Sequence, residues 1–104
     1  MPHKHIIIFV TCPSRKEAKS LTDILLSSKL VACVSMIPGV GSKYWWRGKI
    51  EYSVEVLLIL KTISKNFGKI EKLIKRMHSY EVPEIIALPI VDGSKQYLKW
   101  LSGL

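Results

Sequence analysis

The side chains best suited to chemistry cluster between residues 77 and 84, where the chain reads Met-His-Ser-Tyr-Glu-Val-Pro-Glu. This segment carries an imidazole, a thioether, a phenol and two carboxylates within eight residues. Imidazole is a common metal ligand, and a thioether suits soft ions such as Cu(I). The same residues are also typical of an ordinary connection from a helix to a strand, in which Pro83 ends the helix and the polar groups face water.

The length and composition indicate what kind of protein carries this segment. A chain of 104 residues can build a core without disulfides or a structural metal, so we expect residues 1–104 to form a single domain. Cys12 and Cys33 lack the spacing of a zinc motif and are expected as free thiols. The longest apolar runs, 6–10 and 56–60, are too short to span a bilayer, and no signal peptide precedes them. We therefore expect a cytoplasmic protein without a membrane segment.

The basic balance of the chain is compatible with nucleic-acid binding, since the formal net charge is +8. However, the basic residues are spread over the whole chain in runs no longer than two, which is typical of a solvated surface. An RNA-binding RRM shares the element order predicted below, but it stacks bases on aromatic residues of strands one and three. The predicted third strand carries no aromatic residue beyond Tyr52. Nucleic-acid binding is therefore the last of the functions considered.

An alternation of apolar runs and amphipathic segments defines the predicted elements. Ser14 and Glu17 form an S-x-x-E capping box, because their side chains can satisfy free backbone amides at the start of a helix. Arg47 and Gly48 predict a tight hairpin turn. The predicted strands span 5–12, 31–46 with a break at Pro38 and Gly39, 49–62 and 84–91, and the predicted helices span 14–28, 64–79 and 94–101.

The order of these elements, β-α-β-β-α-β with a short C-terminal helix, predicts an α+β protein. Right-handed crossovers assemble this order into a ferredoxin-like split β-α-β-β-α-β sandwich, with an antiparallel sheet in the strand order 4-1-3-2. Pro38 and Pro89 fall in strands two and four. These are the two edges of such a sheet, where a missing backbone N–H does least harm.

The second strand and its hairpin predict association with other copies of the chain. Trp45 and Trp46 are adjacent in a strand and therefore point to opposite faces, of which only one can pack on the helices. A long, aromatic edge strand also exposes a row of unpaired backbone groups. We therefore expect an oligomer that forms by pairing of edge strands.

The predicted topology brings the end of strand one and the end of the second helix to the same edge of the sheet. Thr11 and Cys12 would then lie near Met77, His78 and Tyr80. A thiol, a thioether and an imidazole together would suit copper. A histidine at a helix C-terminus also has a plain electrostatic role, because its cationic form stabilises the negative end of the helix dipole.

Two further patterns were considered for chemistry. His3 and His5 form an H-x-H pair that could chelate an ion if extended, although histidines at a chain start are commonly incidental. Gly39-Val40-Gly41 matches neither a phosphate loop nor a dinucleotide fingerprint. No arrangement of nucleophile, base and third partner is evident, so the sequence predicts a protein that is not an enzyme.

Seven short motifs are distributed over nearly the whole chain: VTCP at 10–13, LVAC at 30–33, IPG at 37–39, YWWRGKIE at 44–51, LKT at 60–62, HSYEVPE at 78–84 and YLKWL at 97–101. Through these motifs, the chain from residue 6 to residue 101 closely resembles the CutA family of divalent-cation tolerance proteins. The resemblance implies a ferredoxin-like subunit in a tight homotrimer, with strands shared between neighbours. It also implies a cytoplasmic role in tolerance of copper and other divalent metals.

The chain departs from the family pattern at the positions that bind copper in some members. Those members are similar in offering a cysteine late in strand one and two histidines before the Tyr-x-x-Pro-Glu stretch. Here Val10 stands at the cysteine position, Met77 at the first histidine position, and Ser79 replaces a proline. Cys12 would face the same side as Val10. We therefore predict a site for copper or another divalent cation at Cys12, Met77 and His78, which folding does not require.

The resemblance also allows a second function, because the assembly is similar to that of trimeric P-II-type signalling proteins. A small ligand or a protein partner would then bind in clefts between subunits. The family's recurring polar and aromatic positions would line such a cleft, or would instead hold the trimer together. They correspond here to Glu51, Lys61, Tyr80, Glu84 and Trp100.

Overall fold

The structure, a computed structural model, describes residues 3–104. Its elements follow the predicted order, with a short 3₁₀ turn at Ser64–Asn66 leading into the second helix. The strands are β1 (His5–Cys12), β2 (Cys33–Trp46), β3 (Lys49–Ile63) and β4 (Ile86–Pro89), and the helices are α1 (Arg15–Ser27), α2 (Phe67–Met77) and α3 (Lys95–Leu101).

The four strands form one antiparallel sheet in the order β2-β3-β1-β4, which confirms the predicted fold class and strand order. In the central strand β1, Ile8 pairs with Leu60 of β3 and with Ala87 of β4. Every second residue of β1, from Ile6 to Cys12, is fully buried in the core beneath α1 and α2. Cys12 therefore faces the helices, which the sequence pattern alone did not establish.

The predicted capping box forms only in part. Ser14 Oγ accepts a hydrogen bond from the backbone N–H of Glu17, at 3.1 Å. The Glu17 carboxylate accepts a bond from the backbone N–H of Ser79 instead, also at 3.1 Å. The reason is tertiary, because the end of α2 lies beside the start of α1 and offers a free amide there.

Both edges of the sheet contain the predicted prolines, but β2 is not interrupted at Pro38. A bulge between Ile37 and Val40 absorbs Pro38 and Gly39, and pairing with β3 continues on both sides of it. At the tip of the hairpin, Arg47 and Gly48 have φ values of 51° and 79°. These left-handed conformations make the two-residue turn that matches the twist of the flanking strands.

The second face of the sheet is covered only at one end. There α3 is tied to β1 by a 2.6 Å hydrogen bond between His5 Nε2 and Ser102 Oγ. Further along this face, Phe9 is half-buried, and its partner Ile86 and the nearby Leu88 are exposed. The face is therefore an apolar surface that one chain leaves open. Within residues 3–104, no helix has the length and apolar character needed to cross a bilayer.

Candidate functional site

His78 is the centre of the polar cluster at the edge of the sheet. It follows the last residue of α2 with an extended backbone (ψ 140°), which directs its side chain into the protein, and it is only 8% exposed. Its Nε2 lies 2.7 Å from the carbonyl oxygen of Thr11, and its Nδ1 lies 3.0 Å from the backbone N–H of Tyr80. A carbonyl only accepts and an N–H only donates, so these bonds select the neutral ring with the proton on Nε2.

Two further donors lie beside this ring. Glu17 Oε2 is 3.3 Å from His78 Nδ1, and the ligand atoms of Cys12, Glu17 and His78 lie within 4.8 Å of one another. Burial, followed by the charges of Glu17 and Glu55, raises the pKa of Cys12 to about 12. The Cys12 thiol is therefore protonated at neutral pH.

This cluster fits a metal ion in the types of its donors and in their spacing. Thiolate, imidazole and carboxylate are ligands of zinc and copper, and ligand atoms around one ion are separated by about 3–4.5 Å. His78 also donates its other ring N–H to the Thr11 carbonyl. A backbone carbonyl commonly orients metal-binding histidines in this way. Binding would require Cys12 to lose its proton and Tyr80 to release Nδ1.

The structure brings Cys12 and His78 together, as the topology predicted, but it adds a residue that sequence reasoning missed. This residue is Glu17, whose carboxylate the capping-box pattern had assigned to the start of α1. Because β1 ends only two residues before α1 begins, the closeness of Glu17 to the end of β1 was the signal that could have identified it as a site residue. Met77 is the last residue of α2 and is 40% exposed, while the backbone of His78 turns inward. The role of Met77 as a ligand stays a prediction.

A pocket of about 610 Å³ lies next to this cluster, between the β2–β3 hairpin and the segment 79–84. Tyr80 connects the two, because its ring lies 4.9 Å from the His78 ring and its hydroxyl donates to Glu55 Oε2 at 2.7 Å. Burial and this hydrogen bond raise the pKa of Tyr80 above its ordinary range. The phenol thus stays a neutral donor whose oxygen faces a buried carboxylate.

The residues predicted to line a ligand cleft are only partly gathered within one chain. Tyr80 and Glu84 line the pocket. Glu51 lies outside it on the exposed hairpin, paired with Tyr44. Lys61 lies on the open face of the sheet and donates to Ser35 Oγ at 3.1 Å.

Trp100 also lies outside the pocket. It is in α3, where its ring packs 5.5 Å from that of Tyr97.

Glu55 lines the pocket, although sequence reasoning did not single it out. It is 5% exposed in the structure. As the only carboxylate within the apolar run from Val54 to Leu60, it carried a signal that could have been used.

Comparison with known protein sequences identifies relatives of this chain. A sequence profile described as CutA1 divalent ion tolerance protein matches residues 6–103. The divalent-cation tolerance protein CutA of Thermus thermophilus is 40% identical over 95 residues, which cover 91% of this chain and 92% of that protein. Protein CutA 1, chloroplastic, of Oryza sativa is 44% identical over 98 residues, and the chain spans only 55% of its length.

Solved structures agree with the sequence comparison. The Cut A1 protein of Thermus thermophilus superimposes with a TM-score of 0.92 at 39% identity, over 94% of this chain and 95% of that one. CutA1 from Oryza sativa gives the same TM-score at 42% identity, over 95% and 91% of the two chains. The chain is therefore a member of the CutA family of divalent-cation tolerance proteins.

Proposed function

We propose that the protein acts in tolerance of divalent cations by binding metal, copper being the first ion to test, and not by catalysis. The observation that carries this proposal is the cluster of Cys12, Glu17 and His78, whose ligand atoms lie within 4.8 Å of one another. The names of relatives such as the CutA of Thermus thermophilus support the same role, since they describe tolerance of divalent cations.

Within this proposal, His78 presents Nδ1 to the ion while Thr11 holds Nε2. Nδ1 is the nitrogen that faces Glu17, at 3.3 Å, whereas Nε2 is bonded to the backbone. Cys12 supplies the soft donor once its proton has left, and Met77 is a further candidate ligand next to His78. Because a proton must leave Cys12, the apparent affinity for metal rises with pH.

We also propose that the functional unit is a homotrimer that forms by pairing of edge strands. The support is the apolar surface that one chain leaves uncovered. Trp45 is 72% exposed, and Tyr52 and Val54 of the same hairpin are about 60% exposed. An uncovered apolar surface of this kind marks an interface, and the edge strand β2 has free backbone groups for pairing. A cytoplasmic location is part of the proposal, and fractionation of the native host would test it.

Calorimetric titration with Cu(II), and with Cu(I) under reducing conditions, tests the metal role. We expect saturable binding of one ion per chain, weakened about tenfold or more in Cys12→Ala and Glu17→Gln. Cys33→Ala is the matched control, because Cys33 lies in β2 outside the cluster. The titration is repeated with His3 and His5 replaced by glutamine. Equal affinity in Cys12→Ala and the wild type, or loss of binding only with His3 and His5, would contradict this site.

A second candidate function is the binding of a small ligand or protein partner in the manner of P-II-type signalling proteins. The pocket of about 610 Å³ favours it, since this volume suits a small organic molecule and two of the predicted cleft residues, Tyr80 and Glu84, line it. In a trimer, the remaining cleft residues of a neighbouring chain would complete such a site.

A further inference from the structure

The pocket beside Tyr80 combines aromatic residues with carboxylates. The β2 strand contributes Lys43 and the aromatic residues Tyr44, Trp45 and Trp46, and three carboxylates are among the other lining residues. The chain has only eight acidic residues and a net charge of +8. Three of those eight, Glu55, Glu81 and Glu84, line this one pocket. The pocket thus gathers three carboxylates on a basic protein, with Lys43 as the basic residue in its lining.

The chain's own Arg47 already illustrates what this combination attracts. Its guanidinium carbon lies 5.4 Å from the centre of the Trp46 ring, and its Nη2 lies 3.0 Å from Glu81 Oε2. An aromatic face and a carboxylate therefore hold a cation together at the rim of the pocket. Both charged groups are exposed to solvent, so this contact is weak and can be exchanged for another cation.

The other two carboxylates of the pocket are not neutralised in this way. In the part of the chain that the structure describes, no lysine or arginine forms an ion pair with Glu55 or Glu84. Burial, followed by the charge of Glu55, raises the pKa of Glu84. A cation that entered the pocket would relieve this unfavourable charge.

The spacing of the carboxylates favours an extended cation over a compact metal ion. Among residues 3–104, the group of three metal-binding side chains whose ligand atoms lie within 4.8 Å is Cys12, Glu17 and His78. The three pocket carboxylates do not form such a group. Aromatic rings attract guanidinium and ammonium groups through their faces, whereas a hydrated divalent ion gains little from them.

We propose that this pocket binds an organic cation with a guanidinium or ammonium group, held between Trp46 and the carboxylates of Glu55 and Glu84. Arg47 competes with the ligand at the rim. This inference rests on the second candidate function, the ligand-binding pocket, and is independent of the metal role of Cys12 and His78.

Titration of the full chain with agmatine, which carries a guanidinium and an ammonium group, tests the inference by calorimetry and tryptophan fluorescence. We expect saturable binding that Trp46→Leu and Glu84→Gln each weaken roughly tenfold. Arg47→Gly removes the competing cation and keeps the left-handed turn, so binding should become about threefold tighter. Tyr44→Leu replaces Trp46→Leu if the latter does not fold.

A matched control separates this site from general charge effects. Glu71→Gln removes a carboxylate of α2 that pairs with Lys75 outside the pocket. It should leave agmatine binding unchanged. Tetramethylammonium should compete with agmatine, whereas butyrate and 1-butanol should not.

Three results would overturn the inference in distinguishable ways. If butyrate or butanol binds in a manner sensitive to Trp46→Leu and agmatine does not, the pocket takes ligands of another class. If none of the probes binds, the inference of an organic-cation site is wrong, whereas the second candidate function, which names no ligand class, stays a proposal. If Mg²⁺ displaces agmatine at equal concentration, the pocket belongs to a metal ion instead.

Discussion

The two polar regions joined by Tyr80 differ in how far their hydrogen bonds are satisfied. Around His78, both ring nitrogens have partners and the neighbouring thiol is fully buried. In the pocket, Glu84 has no cationic partner among the described residues, and the aromatic rings beside it are open to solvent. A ligand that enters the pocket displaces only the exposed contacts of Arg47, whereas a metal ion must displace bonds that hold the fold. The same difference separates mutations that unfold the protein from mutations that change only binding.

The largest expected effect is on stability and comes from His78→Ala. This substitution leaves the Thr11 carbonyl and the Tyr80 N–H without their side-chain partner in a buried region, which costs about 2–4 kcal/mol of unfolding free energy. Urea unfolding followed by circular dichroism measures this value. Glu84→Gln in the pocket is the matched comparison and should change it by less than about 0.5 kcal/mol. Similar values for the two variants would remove the proposed distinction between the two regions.

Alkaline pH should lower the unfolding free energy of the protein, and this loss can be assigned to the Cys12 thiol beside His78. The pKa of this thiol rises from an ordinary value of 9.0 to about 12 in the folded protein. Between these values the unfolded chain releases the proton and the folded chain keeps it. The unfolding free energy therefore falls as pH rises, by at most about 1.4 kcal/mol per pH unit. Tyr80, whose pKa is also raised, acts in the same direction at higher pH.

Urea unfolding between pH 8 and pH 11 would measure this slope. Cys12→Ala should reduce it, whatever its effect on stability at neutral pH, and Cys33→Ala should leave it unchanged. A slope that is the same in wild type and Cys12→Ala would mean that the buried thiol does not hold its proton as inferred.

Metal binding at the same cysteine should show the opposite dependence on pH. Since the thiol is protonated at neutral pH, each bound ion displaces about one proton, and the apparent affinity rises up to about tenfold per pH unit. Calorimetry in buffers of different ionisation enthalpy measures the proton released per ion. Release of no proton would exclude Cys12 as a ligand, even if the ion binds near His78.

The smallest effect on stability is expected at the rim of the pocket, in Arg47→Gly. The substitution loses an exposed ion pair and an exposed cation–aromatic contact, each worth less than about 1 kcal/mol. It also relieves a left-handed backbone conformation that glycine adopts without strain. The unfolding free energy should therefore change by less than about 0.5 kcal/mol. A larger loss would show that Arg47 supports the fold and is not a replaceable cation.

Most of the fold was predictable because its signals are local. The apolar runs of β1 and β3, the amphipathic pattern of α2 and the placement of Pro38 and Pro89 together predict the strand order. The continuity of β2 was not predictable, because a bulge can absorb Pro38 and Gly39 only when β3 supplies pairing on both sides. Likewise, the end of α2 lies two residues earlier than predicted, because His78 leaves the helix to reach Thr11.

The candidate sites likewise combine features that could be predicted from the sequence with features that could not. Topology alone predicted that Cys12 and His78 meet, since both end elements that share one edge of the sheet. Glu17 and Glu55 carried signals of their own, but the groups that their carboxylates bond, the Ser79 N–H and the Tyr80 hydroxyl, depend on side-chain orientations that topology does not predict.

The elements, their order and the family follow from the amino-acid sequence, because periodicity, turn residues and motifs are properties of neighbouring positions. Which atoms are available for chemistry depends instead on the folded chain. The protonation of Cys12, the tautomer of His78 and the use of the Glu17 carboxylate all depend on burial and on partners brought in by chain folding. Electrostatic energy depends on the distance between charges and on the exclusion of water, and the order of the residues alone specifies neither quantity.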